Sequence, residues 1–151
     1  MNTTGHRYQV SIEADPTLPI IRITRDFDAT PANLMRAHTD PGLFARWVGP
    51  NGMETKIVEW DATTGGRWRY LAGRDGEEYS FHGCFHEVGE DRIIQTFTFD
   101  TSAMGSSKSS MNWVLETLTF VATGATTTLK FISLKGRFDL QADGRRDGTT
   151  P

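Results

Sequence analysis

One cysteine, Cys84, stands among the 151 residues, so no internal disulfide staples the chain. A lone thiol fits a reducing compartment, and the expected location is cytoplasmic. No apolar run approaches the roughly 20 residues that span a bilayer. The opening stretch, Met1 to Gln9, is too polar for a secretory signal. Charge of one sign is also scarce: 16 basic and 19 acidic residues leave a net of −3. That balance excludes a protein built chiefly to grip phosphate backbones, and neither nucleic acid nor membrane is an expected partner. There is no internal repeat, no low-complexity block and no linker. One domain is expected over residues 20–151, preceded by an N-terminal extension at 1–19.

What the chain holds in quantity is rings. Four Trp, three Tyr and nine Phe occur in a chain that is 37% hydrophobic overall. This weight of aromatics predicts an interior walled by them. Asp15-Pro16-Thr17-Leu18-Pro19 reads as a turn, because each proline removes a donor and biases its predecessor toward extended geometry. Ile20 to Arg25 alternates as a strand. Thr30-Pro31 and Asp40-Pro41 are two helix starts, each a capping side chain followed by proline at the first helical position. The first helix is expected over about 31–38, and the second sets Leu43, Phe44 and Trp47 on one face. From Met53 onward the pattern is strand after strand, near Glu54–Trp60, Arg67–Ala72, Glu78–Val88, Arg92–Asp100, Met111–Ala122 and Thr126–Leu134. Short Gly-rich turns between them favour an antiparallel meander, an α+β arrangement.

Alternation decides which side chains meet. Trp68 and Tyr70 share a face, as do Tyr79, Phe81, Gly83 and Phe85, and as do Phe97 and Phe99. Their alternates, among them Arg67, Arg69, His82 and His86, are polar. One sheet face is thus expected to be covered with rings, and such a face needs a cover. Trp47, Trp68, Tyr70, Phe81, Phe97, Phe99, Trp113 and Phe120 are the candidate ligand-binding residues, since concave aromatic pockets are common small-molecule sites. His82, Cys84 and His86 alternate on the opposite face. With no carboxylate or second cysteine to complete a ligand set, surface histidines are the preferred account over a metal site, and no cofactor is expected. Arg67 and Arg69 point away from Trp68 and Tyr70, so they cannot form a basic-aromatic strip for nucleic acid. Among Glu59, Asp61, Glu116 and His38, Glu116 is the candidate catalytic group. It shares a strand face with Val114, Leu118 and Phe120, where a carboxyl would titrate high. The competing account pairs it with an arginine such as Arg22 or Arg69.

Several stretches together resemble a known family: Arg25-Asp26-Phe27-Asp28-Ala29-Thr30-Pro31, His38-Thr39-Asp40-Pro41 through Arg46-Trp47-Val48-Gly49-Pro50, and Gly65-Gly66-Arg67-Trp68-Arg69-Tyr70. Further on come Asp75-Gly76-Glu77-Glu78-Tyr79, Phe81 to Val88, Arg92 to Phe97 and Glu116 to Phe120. In this order they resemble the AHSA type of the START-like (SRPBCC) superfamily, named for homologues of an activator of a heat-shock-protein ATPase. The resemblance implies the helix-grip fold of the birch-pollen allergens: a curved antiparallel sheet, two short helices after the first strand, and a long C-terminal helix over a cavity. It implies a binder of small apolar or aromatic molecules. The alternatives are a cyclase or dehydratase acting through Glu116 or a tyrosine hydroxyl in the same cavity, or a chaperone-activator-like interaction module. The motifs are structural, and the resemblance transfers no catalytic residue.

The chain departs from the family at its end. Relatives carry a Met- and Gly-rich motif and an amphipathic helix after the last strand. Here Ala142 to Gly148 resembles only the entry to that helix and lacks its apolar face, while Gly144 and Gly148 each cost about 1 kcal/mol relative to Ala in a helix. The expected C-terminal helix is therefore truncated or incomplete. A homodimer covering the open sheet face is the corresponding expectation.

Overall fold

The computed structural model describes residues 10–49, 52–100 and 112–137. Eight strands form one antiparallel sheet: β1 (Val10–Ala14), β2 (Ile20–Phe27), β3 (Glu54–Trp60), β4 (Arg67–Arg74), β5 (Glu77–Val88), β6 (Arg92–Asp100), β7 (Asn112–Thr123) and β8 (Thr126–Arg137). Two helices, α1 (Pro31–Thr39) and α2 (Pro41–Trp47), lie between β2 and β3. The strand order β1-β2-β8-β7-β6-β5-β4-β3 is a meander whose first two strands have joined its last. β3 and β1 are the margins. Bulges at Ile57/Glu59 and Phe85/Glu87 interrupt the register and help to curve the sheet.

The helix starts form as their local chemistry dictates. The Thr30 hydroxyl accepts from the Asn33 amide at 3.1 Å, and the Asp40 carboxylate accepts from Gly42 and Leu43 at 2.9 and 3.1 Å. Because β2 and β3 lie far apart in the sheet, the α1–α2 segment crosses the concave face to connect them. Two hydrogen bonds fix that crossing. Thr127 of β8 donates to the Ala29 carbonyl at 2.5 Å, and the Trp60 indole of β3 donates to the Thr39 carbonyl at 2.7 Å.

The core lies between this crossing and the sheet. Leu34 and Met35 from α1 meet Trp68, Tyr70, Ala72, Phe85, Ile93, Leu118 and Phe120. Gly83 is required here: a Cβ on it would lie 2.7 Å from the Trp68 ring and strike the Thr96 carbonyl. Gly65, at φ +92°, turns the chain into β4. Val10–Ala14, which carries no element in the sequence reading, is a fully exposed edge strand. Its order comes from pairing with β2, Ile12 opposite Ile23. The expected entry to a C-terminal helix at Ala142–Gly148 lies outside the described residues. Among the described residues no helix is long and apolar enough to cross a membrane.

Candidate functional site

A cavity of about 720 Å³ lies between the crossing helices and the concave face, within the roughly 300–1,000 Å³ usual for small-molecule sites. Its floor comes from the inward alternates of β2, β8, β7, β6 and β4. Ile23 and Phe27, then Leu129 and Phe131, then Leu118 and Glu116, then Ile93, Gln95 and Phe97, and finally Trp68 and Tyr70 contribute in turn. The roof comes from Leu34, Ala37 and His38 of α1, with Phe44 and Trp47 of α2. Trp47 is 47% exposed, and its indole donates to the Ala37 carbonyl at 2.8 Å.

Ring contacts hold the wall rigid. Trp68 stacks on Tyr70 with centroids 5.6 Å apart and planes 19° apart, and it meets Phe97 at 5.3 Å. Phe44 seals the wall from above, 5.3 Å from Tyr70 and 4.8 Å from Trp60. Four of the eight candidate ligand-binding residues, Trp47, Trp68, Tyr70 and Phe97, therefore line the cavity. The other four lie elsewhere, for separable reasons. Phe81 and Phe99 share the inward face but stack on each other at 5.1 Å, beyond the end of the cavity. Phe120 is 1% exposed and closed over by the His38 ring at 5.3 Å, so it is core. Trp113 alternates with Val114 and Glu116 and lies on the opposite face, packed on Gly136.

Glu116 lines the cavity. Its Oε1 accepts from Gln95 Nε2 at 2.8 Å, and register places the two directly opposite each other. Burial pushes the carboxyl above its ordinary range, while the Gln95 hydrogen bond opposes part of that rise. The arginines proposed as partners are occupied elsewhere. Arg22 bonds Asp15 at 3.2 Å, and Arg69 donates to the Ser80 hydroxyl at 2.7 Å. Tyr70 titrates above an ordinary phenol, through burial first and the charge of Glu116 second. The two groups thus share one electrostatic environment.

His38 adds a titratable group from the roof. Its Nδ1 lies 2.8 Å from the Leu34 carbonyl, which can only accept, so Nδ1 carries the proton and Nε2 is left as an acceptor. Burial holds the imidazole below its ordinary value and keeps it neutral, against the opposing pull of that hydrogen bond. Glu59 and Asp61 are surface groups: Glu59 pairs with Arg67 at 3.3 Å, and Asp61 accepts from the Thr63 hydroxyl. His82, Cys84 and His86 lie on the face away from the cavity. Burial and the Arg69 charge lower His82, and the Cys84 amide donates to Thr96. Gln95 and Arg25 are lining residues that the ring-based reading passed over. The alternation Gln95-Phe97 in β6 and Arg25-Phe27 in β2 was the signal available for them.

The comparisons agree with the fold. A family model described as Activator of Hsp90 ATPase homolog 1-like protein matches residues 28–148. A crystal structure of a Chromobacterium violaceum protein superposes with TM-score 0.69 at 25% identity, over 79% of this chain and 81% of that one. A Mycobacterium smegmatis protein gives 0.71 at 21% identity, over 83% and 78%. One from Staphylococcus epidermidis gives 0.70 at 23%, over 89% and 82%. The last two speak for the fold alone. No curated protein is significantly similar to the chain.

Proposed function

The chain belongs to the Activator of Hsp90 ATPase homolog 1-like family, and on that premise we propose that it binds a small apolar or aromatic molecule in the cavity under α1 and α2. Family membership supports either a ligand-binding or an interaction module, and the cavity favours the first. The observation that carries the reading is a volume of about 720 Å³ walled by Trp68, Tyr70, Phe97 and Phe131, with only a few polar groups among them. Burial of ligand surface supplies the affinity at about 25 cal/mol per Å². Glu116, Gln95 and His38 orient the guest.

The test is titration with a panel of naphthalene- and indole-sized compounds, read by tryptophan fluorescence from Trp47, Trp60 and Trp68. Saturable quenching is the expected result, and Ala37→Phe, which fills the roof, is expected to weaken it about tenfold, some 1.4 kcal/mol. Quenching absent throughout the panel, or indifferent to that variant, would remove the reading.

A second reading rests on one observation, the raised Glu116 carboxyl in the cavity wall, whose charge also acts on the Tyr70 hydroxyl. A protonated carboxyl in an apolar cavity is a general acid, suited to a dehydration or cyclisation. Under this reading Glu116→Gln retains binding and loses turnover. We also infer that a second copy covers the β1–β2 margin, where Val10, Ile12 and Ile21 are 44%, 68% and 45% exposed.

A further inference from the structure

Glu116 is the one acidic side chain among the described residues that line the cavity, and no described cation answers it. The other charged or titratable groups that face the space come from β2, α1, β4 and β8. Arg25 on β2 lies with its guanidinium carbon 4.9 Å from the centre of the Phe27 ring. By register Arg25 is level with Leu129 and Phe120, four residues along and two strands across from the Glu116–Ser133 pair, so their backbones are roughly 16 Å apart. His38 on α1 is neutral and commits Nδ1 to Leu34. Tyr70 on β4 keeps its proton. Lys135 on β8 shares the face diagonally but is exposed. Burial, not a neighbouring cation, governs Glu116.

A carboxyl in this setting keeps its proton or faces a positive charge, because an unanswered buried anion is too costly. The walls decide which kind of guest fits. Aromatic ring faces carry the negative lobes of their quadrupoles and attract cations. Tyr70 is stacked between Trp68 and Phe81, so Trp68, Phe97, Phe44 and Trp47 are the rings left to meet a guest. An anionic guest would meet those faces and the carboxyl together.

We propose that the cavity selects organic cations, an ammonium or quaternary ammonium group on an apolar or aromatic body, with the nitrogen set against Glu116 and the body along the rings. The proposal rests on the small-molecule reading above and names the ligand class for it. Binding a permanent cation exchanges the Glu116 proton for the charge of the guest. Uptake therefore releases a proton to solvent and tightens as pH rises.

Benzyltrimethylammonium and neopentylbenzene have the same shape and differ in the charge on one quaternary atom. By tryptophan fluorescence at neutral pH, the cation is expected to bind about tenfold tighter than the hydrocarbon. Calorimetry at mildly acidic pH, in buffers of different ionisation enthalpy, is expected to show proton release with the cation and none with the hydrocarbon. Glu116→Gln is expected to collapse the affinity ratio and abolish the release, and Glu116→Asp to keep both in part. Should Glu116→Gln fail to fold, proton release by the wild type and the Glu116→Asp ratio decide the matter. Equal binding of the two probes, or a ratio that survives loss of the carboxyl, overturns the cation proposal and leaves the apolar cavity standing. Failure of both probes to bind overturns both readings.

Discussion

Two regions of the sheet, the span from β4 to β7 and the β1–β2 margin, both carry apolar side chains and end in opposite states. On β4 to β7, Trp68, Tyr70, Phe85, Ile93 and Phe120 are between 1% and 4% exposed, while on β1 and β2 Ile12 is 68% exposed. The difference lies in what stands above them. α1 contacts β7 and α2 contacts β3, so the helices roof one side of the sheet. On the other side strands that pair well in register leave Val10, Ile12 and Ile21 exposed. Strand pairing alone orders a backbone. A second layer is what turns an apolar face into a core.

The comparison is sharpest in Phe85→Ala. Truncation on the roofed side is expected to lower the unfolding free energy by about 3–5 kcal/mol in a urea titration, and a loss below about 1 kcal/mol would show that this side is not a packed core. Next comes Gly83→Ala, where the added methyl must displace Trp68 or the Thr96 carbonyl. A loss of about 1–3 kcal/mol is expected, together with a change in tryptophan emission.

The effect of Glu116→Gln is smaller and depends on pH. The native carboxyl titrates above its unfolded value of 4.5, so between those two points the folded state binds more protons. The stability it contributes is complete below the unfolded value and is lost as pH rises through the folded one. Thermal melts are expected to show the variant gaining on the wild type from acidic to neutral pH, and a gap independent of pH would contradict the burial of this group. Smallest is Ile12→Ser on the uncovered side: within about 0.5 kcal/mol in stability, but with sedimentation velocity shifted toward monomer.

Much of the fold is legible from residue order because it is locally encoded. Thr30-Pro31 and Asp40-Pro41 carry their own caps, and the strands from Glu54 onward are bounded by Gly-containing turns. Val-Ser-Ile-Glu-Ala at 10–14 is bounded by no Gly-containing turn: it pairs with β2 across the proline-bearing Asp15–Pro19 segment, Ala14 opposite Ile21 and Val10 opposite Arg25. Five residues are too short a run to stand out as a strand by alternation alone. The site divides in the same manner. Period-two alternation assigns Trp68, Tyr70, Phe97 and Glu116 to the face that forms the cavity. It cannot tell how far along that face the roof extends, so Phe81 and Phe99 are indistinguishable from lining residues until α1 and α2 are placed. The face of Trp113 was readable from its offset to Glu116. The roles of His38 and Trp47 depend on helix rotation and tilt, which are set by packing across the sheet.

The α1 crossing is tied down at both ends, by Thr127 at Ala29 and by Trp60 at Thr39. It acts as a strap between strands near opposite margins, and flattening the sheet would stretch that strap. Widening the chamber by breathing of the whole domain therefore carries the loss of two anchoring bonds. Rotation of the half-exposed Trp47 side chain strains neither anchor and breaks only its own bond to the Ala37 carbonyl, so under the proposed binding reading that indole is the less costly way in for a guest.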